Sequence, residues 1–157
     1  MNKTILLLFL CATAFFTSCS SSDDSIEEPT PEESFIRATI DDAEQNADII
    51  GYSTSTTNGG SSILYSITGT INTDTTNNTI LLNIIDDETG ANAALFDLPI
   101  RVFYNGVDYS DSDGTIAINV TINNSEKIEG TFSGELREAS NPGSNIQITN
   151  GSFRILL

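Results

Sequence analysis

The chain predicts an all-β fold, an antiparallel β-sandwich or partly open barrel of about eight strands. Three observations carry that expectation. From Phe35 onward, short apolar runs alternate with polar residues at a period of two. Clusters of Gly, Asn, Asp and Thr cut those runs at close intervals, as in sandwiches and barrels. No stretch of this region sustains the 3.6-residue period of an amphipathic helix.

The elements follow in order. Phe35–Ile40 is the first strand, ended by the turn-forming pair Asp41-Asp42. Ala47–Tyr52 is a short second strand, and residues 54–62 (TSTTNGGSS) read as a loop around Asn58-Gly59-Gly60. Ser62–Asn72 alternates Ile63, Tyr65 and Ile67 against Leu64, Ser66 and Thr68. A polar turn over 72–78 leads to Thr79–Ile85, the most apolar strand. Residues 86–96 (DDETGANAALF) suit either a helical turn at Ala93-Ala94-Leu95 or a loop. Pro99–Tyr104 reads as an edge strand, because its leading proline cannot donate a ladder hydrogen bond. Asn105-Gly106 is a strong turn signal. Thr115–Asn123 puts Ile116, Ile118, Val120 and Ile122 on one face, and Lys127–Glu138 and Ile146–Leu156 complete the set.

Upstream of this domain the texture is different. Lys3 followed by the apolar run Ile5–Phe16 and the small residues Thr17-Ser18 reads as a secretory leader over residues 1–18. A bilayer core takes roughly 20 apolar residues to span, and this run is shorter. Phe16-Thr17-Ser18-Cys19 resembles a lipobox, whose cysteine is acylated on sulfur and becomes the mature N-terminus. Residues 19–34 (CSSSDDSIEEPTPEES) then hold six acids, two prolines and one large apolar residue. Such a segment buries too little to offset its ordering entropy, so it predicts a disordered acidic tether. The β-domain accordingly occupies 35–157.

Composition excludes several classes of chemistry. The two cysteines are Cys11 in the leader and Cys19 at the anchor, so the domain itself has no thiol. Histidine and tryptophan are absent as well. Imidazole bases, His-ligated metals and Ser-His-Asp triads are thereby ruled out. After the leader, 22 acids face five basic residues (Arg37, Arg101, Lys127, Arg137, Arg154). That field repels nucleic acid and anionic surfaces. No enzymatic activity is expected.

Three clusters remain as candidate sites. Asp108, Asp111 and Asp113 crowd one seven-residue stretch and suggest a hard cation such as calcium. They do not fit an EF-hand: with Asp111 and Asp113 at loop positions 3 and 5, Tyr109 would take position 1 and Val120 position 12. The bland alternative is a solvated turn. Asp86-Asp87-Glu88 is a second acidic cluster, but neighbours on one loop seldom oppose each other as glycoside hydrolysis requires. Tyr52, Tyr65, Tyr104 and Tyr109 are the candidate sugar-stacking aromatics, Tyr104 and Tyr109 being expected to pack on one another across the Asn105-Gly106 hairpin.

Several of these segments resemble known exported proteins. Cys19-Ser20-Ser21-Ser22-Asp23-Asp24 is similar to the start of Bacteroidota lipoproteins exported to the cell surface. Asp24-Ser25-Ile26 and Asp74-Thr75-Thr76 resemble the short O-glycosylation signal of such proteins, which makes Ser25 and Thr75 candidate acceptors. Phe35–Asp41, Gly130-Thr131-Phe132-Ser133 and Ile148-Thr149-Asn150-Gly151-Ser152-Phe153 resemble the opening and closing strands of a small uncharacterised Bacteroidota lipoprotein family. That family often carries a tryptophan-containing strand where this chain has Gln45–Ile50. The resemblance implies an outer-membrane, cell-surface lipoprotein and transfers no catalytic residue.

The expected protein is therefore a lipid-anchored surface lipoprotein with a non-catalytic binding or structural domain. Its partners would be the membrane, through the anchor, and a glycan or envelope protein, without nucleic acid or a resident cofactor. The alternative is a calcium-dependent carbohydrate-binding module using the 108–113 loop.

Overall fold

Hairpin geometry organises this chain. In a computed structural model describing residues 32–94, 99–111, 115–141 and 143–157, the first turn is made by Asp41 and Asp42, both in the left-handed region (φ 46° and 65°). Two such residues match the right-handed twist of the strands they join. They connect β1 (Phe35–Ile40) to β2 (Ala43–Thr57). Asn105 and Gly106 repeat the device between β5 (Ile100–Tyr104) and β6 (Val107–Ser110), with φ 52° and 77°.

The strands form one antiparallel nine-stranded sheet in the order β6-β5-β4-β3-β2-β1-β9-β8-β7. Its remaining members are β3 (Ser62–Ile71), β4 (Thr79–Ile85), β7 (Ala117–Asn123), β8 (Lys127–Glu138) and β9 (Asn145–Leu156). The sheet closes on itself where β6 meets β8, through Tyr109↔Glu138 and Ser110↔Arg137. Eight strands thus make a closed barrel, with β7 paired beside β6 on the same edge of β8. At that end a bridge from Gly90 to Val120 links β7 to the segment after β4. Between the sandwich and the barrel expected above, the barrel is the arrangement adopted.

Alternation along each strand fills the interior. Ile36, Ile40, Ile67, Ile80, Leu82, Ile84, Ile100, Val102, Ile128, Leu136 and Ile148 are fully buried. Each such side chain contributes about 1.5–3 kcal/mol on burial. Asn150 (φ 52°) sits in a β-bulge, where the register slips against both β1 and β8.

Four elements differ from expectation. The first is β5, which lies between β4 and β6 rather than at an edge, because Pro99 falls just before the strand and costs it no ladder bond. β2 runs to Thr57, so residues 54–57 of the segment expected as a loop are strand, paired with residues 62–65, while the turn falls at Asn58–Gly60 as expected. Threonine is β-branched and suits a strand once a partner is present. No strand is expected between Asn105-Gly106 and Thr115, yet four residues extend there as β6 because β5 and β8 flank them. Ala91–Ala93 forms a single 3-10 turn. The compact body also begins at Glu32 rather than Phe35: the Lys127 Nζ donates to Glu32, and the Leu156 amide donates to the Ser34 hydroxyl at 3.0 Å.

Candidate functional site

β2 outruns its neighbour β1. β1 pairs with β2 only as far as Arg37↔Asn46, while the β2–β3 pairing continues to Thr57↔Ser62. The surplus of β2, backed by β3 and behind it by β4, forms an arm at one mouth of the barrel. From Ile49 to Thr73 the sequence contains no charged residue, in a chain of net charge −16.

Register decides what each face of the arm presents. Tyr52 pairs with Ile67 and Thr54 with Tyr65. Ile67 is a fully buried core residue, so Tyr52, Thr54, Tyr65 and Ile63 continue the barrel's inner wall into solvent. Tyr52 and Ile63 remain 45% and 42% exposed, which sets them apart from nearly every other large apolar residue described. The rings of Tyr52 and Tyr65 meet edge to face, centroids 5.9 Å apart and planes at 65°. Burial, followed by the charge and hydrogen bond of Asp86, holds the Tyr65 hydroxyl above its ordinary pKa. Tyr65 is therefore a neutral donor to Asp86, fixed in place, with Tyr52 leaning on its edge. The result is an apolar shelf with one carboxylate at its back.

The expected tyrosine pair is not formed as anticipated. Tyr104 lies opposite Val107, and Tyr109 opposite Val102. Tyr109 is core at 9% exposure, and the Tyr104 hydroxyl accepts from the Gln45 side chain at 3.3 Å. Both rings face the interior, where no sugar can reach Tyr109. Tyr52 and Tyr65 were among the sequence candidates, but their meeting depends on a register that the sequence does not spell out.

The aspartates of the 108–113 stretch are separated by strand alternation. Asp108 points outward and grips Arg101 in a two-pronged pair, with Nε to Oδ1 at 2.7 Å. Asp111 follows the buried Tyr109 inward; at 4% exposure it accepts from the Thr115 amide at 2.7 Å. Asp113 lies outside the described residues, and among those described no three metal-ligating side chains form a group. Of the second cluster, Asp86 joins the tyrosine shelf, whereas Asp87 and Glu88 are exposed. The turn carrying them is tied to β7 by the Asn123 amide, which donates to the carbonyls of Ile85 (2.8 Å) and Glu88 (2.7 Å).

Thr75 is exposed at the tip of the β3–β4 turn. That turn is shaped by Asp74, whose carboxylate accepts from the amides of Thr76 and Asn77. Ser25 and Cys19 lie outside the described residues. Most of the cations are committed locally: Lys127 and Arg154 both reach Glu129, and Arg37 lies over the Phe35 ring at 4.5 Å.

Comparison with known proteins returns no match: no family model, curated protein or solved structure is significantly similar to the chain.

Proposed function

We propose that this protein is a lipid-anchored lipoprotein displayed on the outer membrane, whose barrel binds an uncharged carbohydrate without transforming it. The lipobox-like Cys19 and the acidic residues after it support the anchoring part of the reading. The observation that carries the binding part is the shelf of Tyr52, Ile63 and Tyr65 at the barrel mouth. An exposed tyrosine face stacks on the C–H face of a sugar ring, and Asp86 supplies an acceptor for a hydroxyl beside it. An uncharged arm on an acidic body favours neutral polymers, since anionic ones are repelled at a distance.

The test is a glycan array probed with the full chain and with Tyr52→Ala. Retention of a neutral glycan that is abolished by Tyr52→Ala, at unchanged melting temperature, is the expected result. Equal retention by both proteins would remove the shelf from the account. Mass spectrometry of the exported protein, finding diacylglycerol on Cys19, tests the anchor separately.

Calcium-dependent binding through the 108–113 loop is the second reading, favoured by the carboxylates at Asp108 and Asp111 and opposed by their partners Arg101 and Thr115. A melting temperature unchanged by millimolar calcium would end it, because a ligand that binds only the folded state must raise that temperature.

A further inference from the structure

The arm has an edge as well as a face, and the edge is open. Beyond Asn46, the side of β2 that looks away from β3 has no strand partner among the described residues. Hydrogen-bond parity identifies its free groups. The Asp86 amide donates to the Ile63 carbonyl, and the Ile71 amide donates to Asn78, so the odd-numbered residues of β3 face β4. The even-numbered ones face β2, where Leu64 pairs with Ser55 and Ser66 with Ser53. It follows that the N–H and C=O groups of Ile50, Tyr52, Thr54 and Thr56 point outward, unpaired by any strand.

Natural sheets protect such an edge with charge, proline or a bulge. Here Ile49 to Thr57 contains no charged residue and no proline, and the bulge between Ala47 and Ile49 stops short of the free stretch. An edge left open over that length is a template for strand addition.

We infer that the β2 arm pairs edge to edge with the β2 arm of a second copy of this chain, antiparallel, about a two-fold axis at Ser53. Charge selects the occupant. Two bodies of net charge −16 repel wherever their acidic surfaces meet, and the arm belongs to the longest uncharged stretch of the described residues, 49–73, where they can touch with least repulsion. A foreign partner drawn by that acidity would settle on the charged surface instead. Geometry selects the register. Placing Ile50 opposite Thr56 and Tyr52 opposite Thr54 of the other copy satisfies all the outward groups on both chains. Ser53 then faces its own counterpart in a non-hydrogen-bonded pair, Cα atoms about 4.5 Å apart. Both tyrosine shelves come to lie on one face of a continuous sheet. The pairing itself rests on the edge and stands whether or not the shelf binds sugar.

The test uses the full chain with Cys11→Ser and Cys19→Ser, so that Ser53→Cys adds its single thiol. The protein is oxidised and run on a non-reducing gel. A Cα separation near 4.5 Å admits a disulfide, so a covalent dimer is expected. On that gel Thr57→Cys in the same background and the thiol-free parent should both run as monomers, because in this register the two Thr57 residues lie about 27 Å apart. Ser53→Glu and Ser53→Lys should each weaken dimerisation at least tenfold in sedimentation, and an equimolar mixture of the two should restore it. A Ser53→Cys chain that keeps its circular dichroism and reacts with a thiol probe, yet stays monomeric, would overturn the inference. So would equal cross-linking through Thr57→Cys, or a cross-link to a protein of different mass.

Discussion

Phe132 on β8 stands opposite Gly151 on β9, and its ring occupies the space a side chain there would need. A Cβ on Gly151 would lie 2.3 Å from the Phe132 carbonyl oxygen and 2.6 Å from Cδ2 of its ring. Two residues along, the roles reverse: Gly130 faces Phe153, whose ring would sit 2.6 Å from an added Cβ. The two rings, each 2% exposed, pack at 6.3 Å between centroids. The Gly-Thr-Phe-Ser and Thr-Asn-Gly-Ser-Phe segments therefore form one reciprocal packing unit in the β8–β9 strand pair. Gly151→Ala is expected to cost about 2–3 kcal/mol, as overpacking in a dense interior does. Urea unfolding measures it; a loss under about 0.5 kcal/mol would mean that the rings give way freely.

Removal of Asp108 and of Asp111 should differ in cost and in salt dependence. Asp108→Ala breaks an exposed pair with Arg101, whose side chain is 44% exposed, and is expected to cost less than about 1 kcal/mol. High salt should shrink even that. Asp111→Ala removes a buried carboxylate that accepts from the Thr115 amide and should cost about 1–3 kcal/mol, insensitive to salt. Melting curves at low and high ionic strength separate the two.

Glu129 gives stability an acid limb. The hydrogen bond from Lys127 holds its carboxyl below the ordinary 4.5, with burial opposing and Arg154 assisting. A lowered folded-state pKa stabilises fully above the unfolded value, and the gain is lost as pH falls through the folded one. Lys127, raised above 10.5 by Glu32 and Glu129, works in the other direction and loses its contribution in alkali. Between those limits the cluster's contribution is flat. Glu129→Gln should flatten the decline below pH 4.5; an acid limb identical to that of the unmodified chain would assign the decline to other groups.

Asn123 ties the acidic turn to the barrel. Asn123→Ala removes donors from the carbonyls of Ile85 and Glu88 and is expected to cost about 1–2 kcal/mol. Limited proteolysis should cleave first near Asp87-Glu88 in the variant. Unchanged protection there would show that the bridge between Gly90 and Val120 holds the turn alone.

Much of the barrel was legible in the chain because strands advertise themselves locally. Ile118 and Val120 point inward as their alternation required, and Asp41-Asp42 and Asn105-Gly106 made the turns their residue types favour. The Gly and Phe pattern of β8 and β9 was visible too, though its meaning was not. That needed the register which sets Gly130 against Phe153.

Sequence alone settled the all-β class, the hairpin turns at Asp41-Asp42 and Asn105-Gly106, and the classes of chemistry that the residue inventory forbids, since all of these depend on neighbours along the chain or on composition. Tertiary structure decided the rest: closure through Tyr109 and Ser110 onto β8, the strand state of Ser53–Thr57, and the encounter of Tyr52 with Tyr65. A serine–threonine run is loop or strand according to whether a partner lies beside it. Partners in a closed sheet come from distant positions, and pairing energy across the sheet overrides the weak local preference.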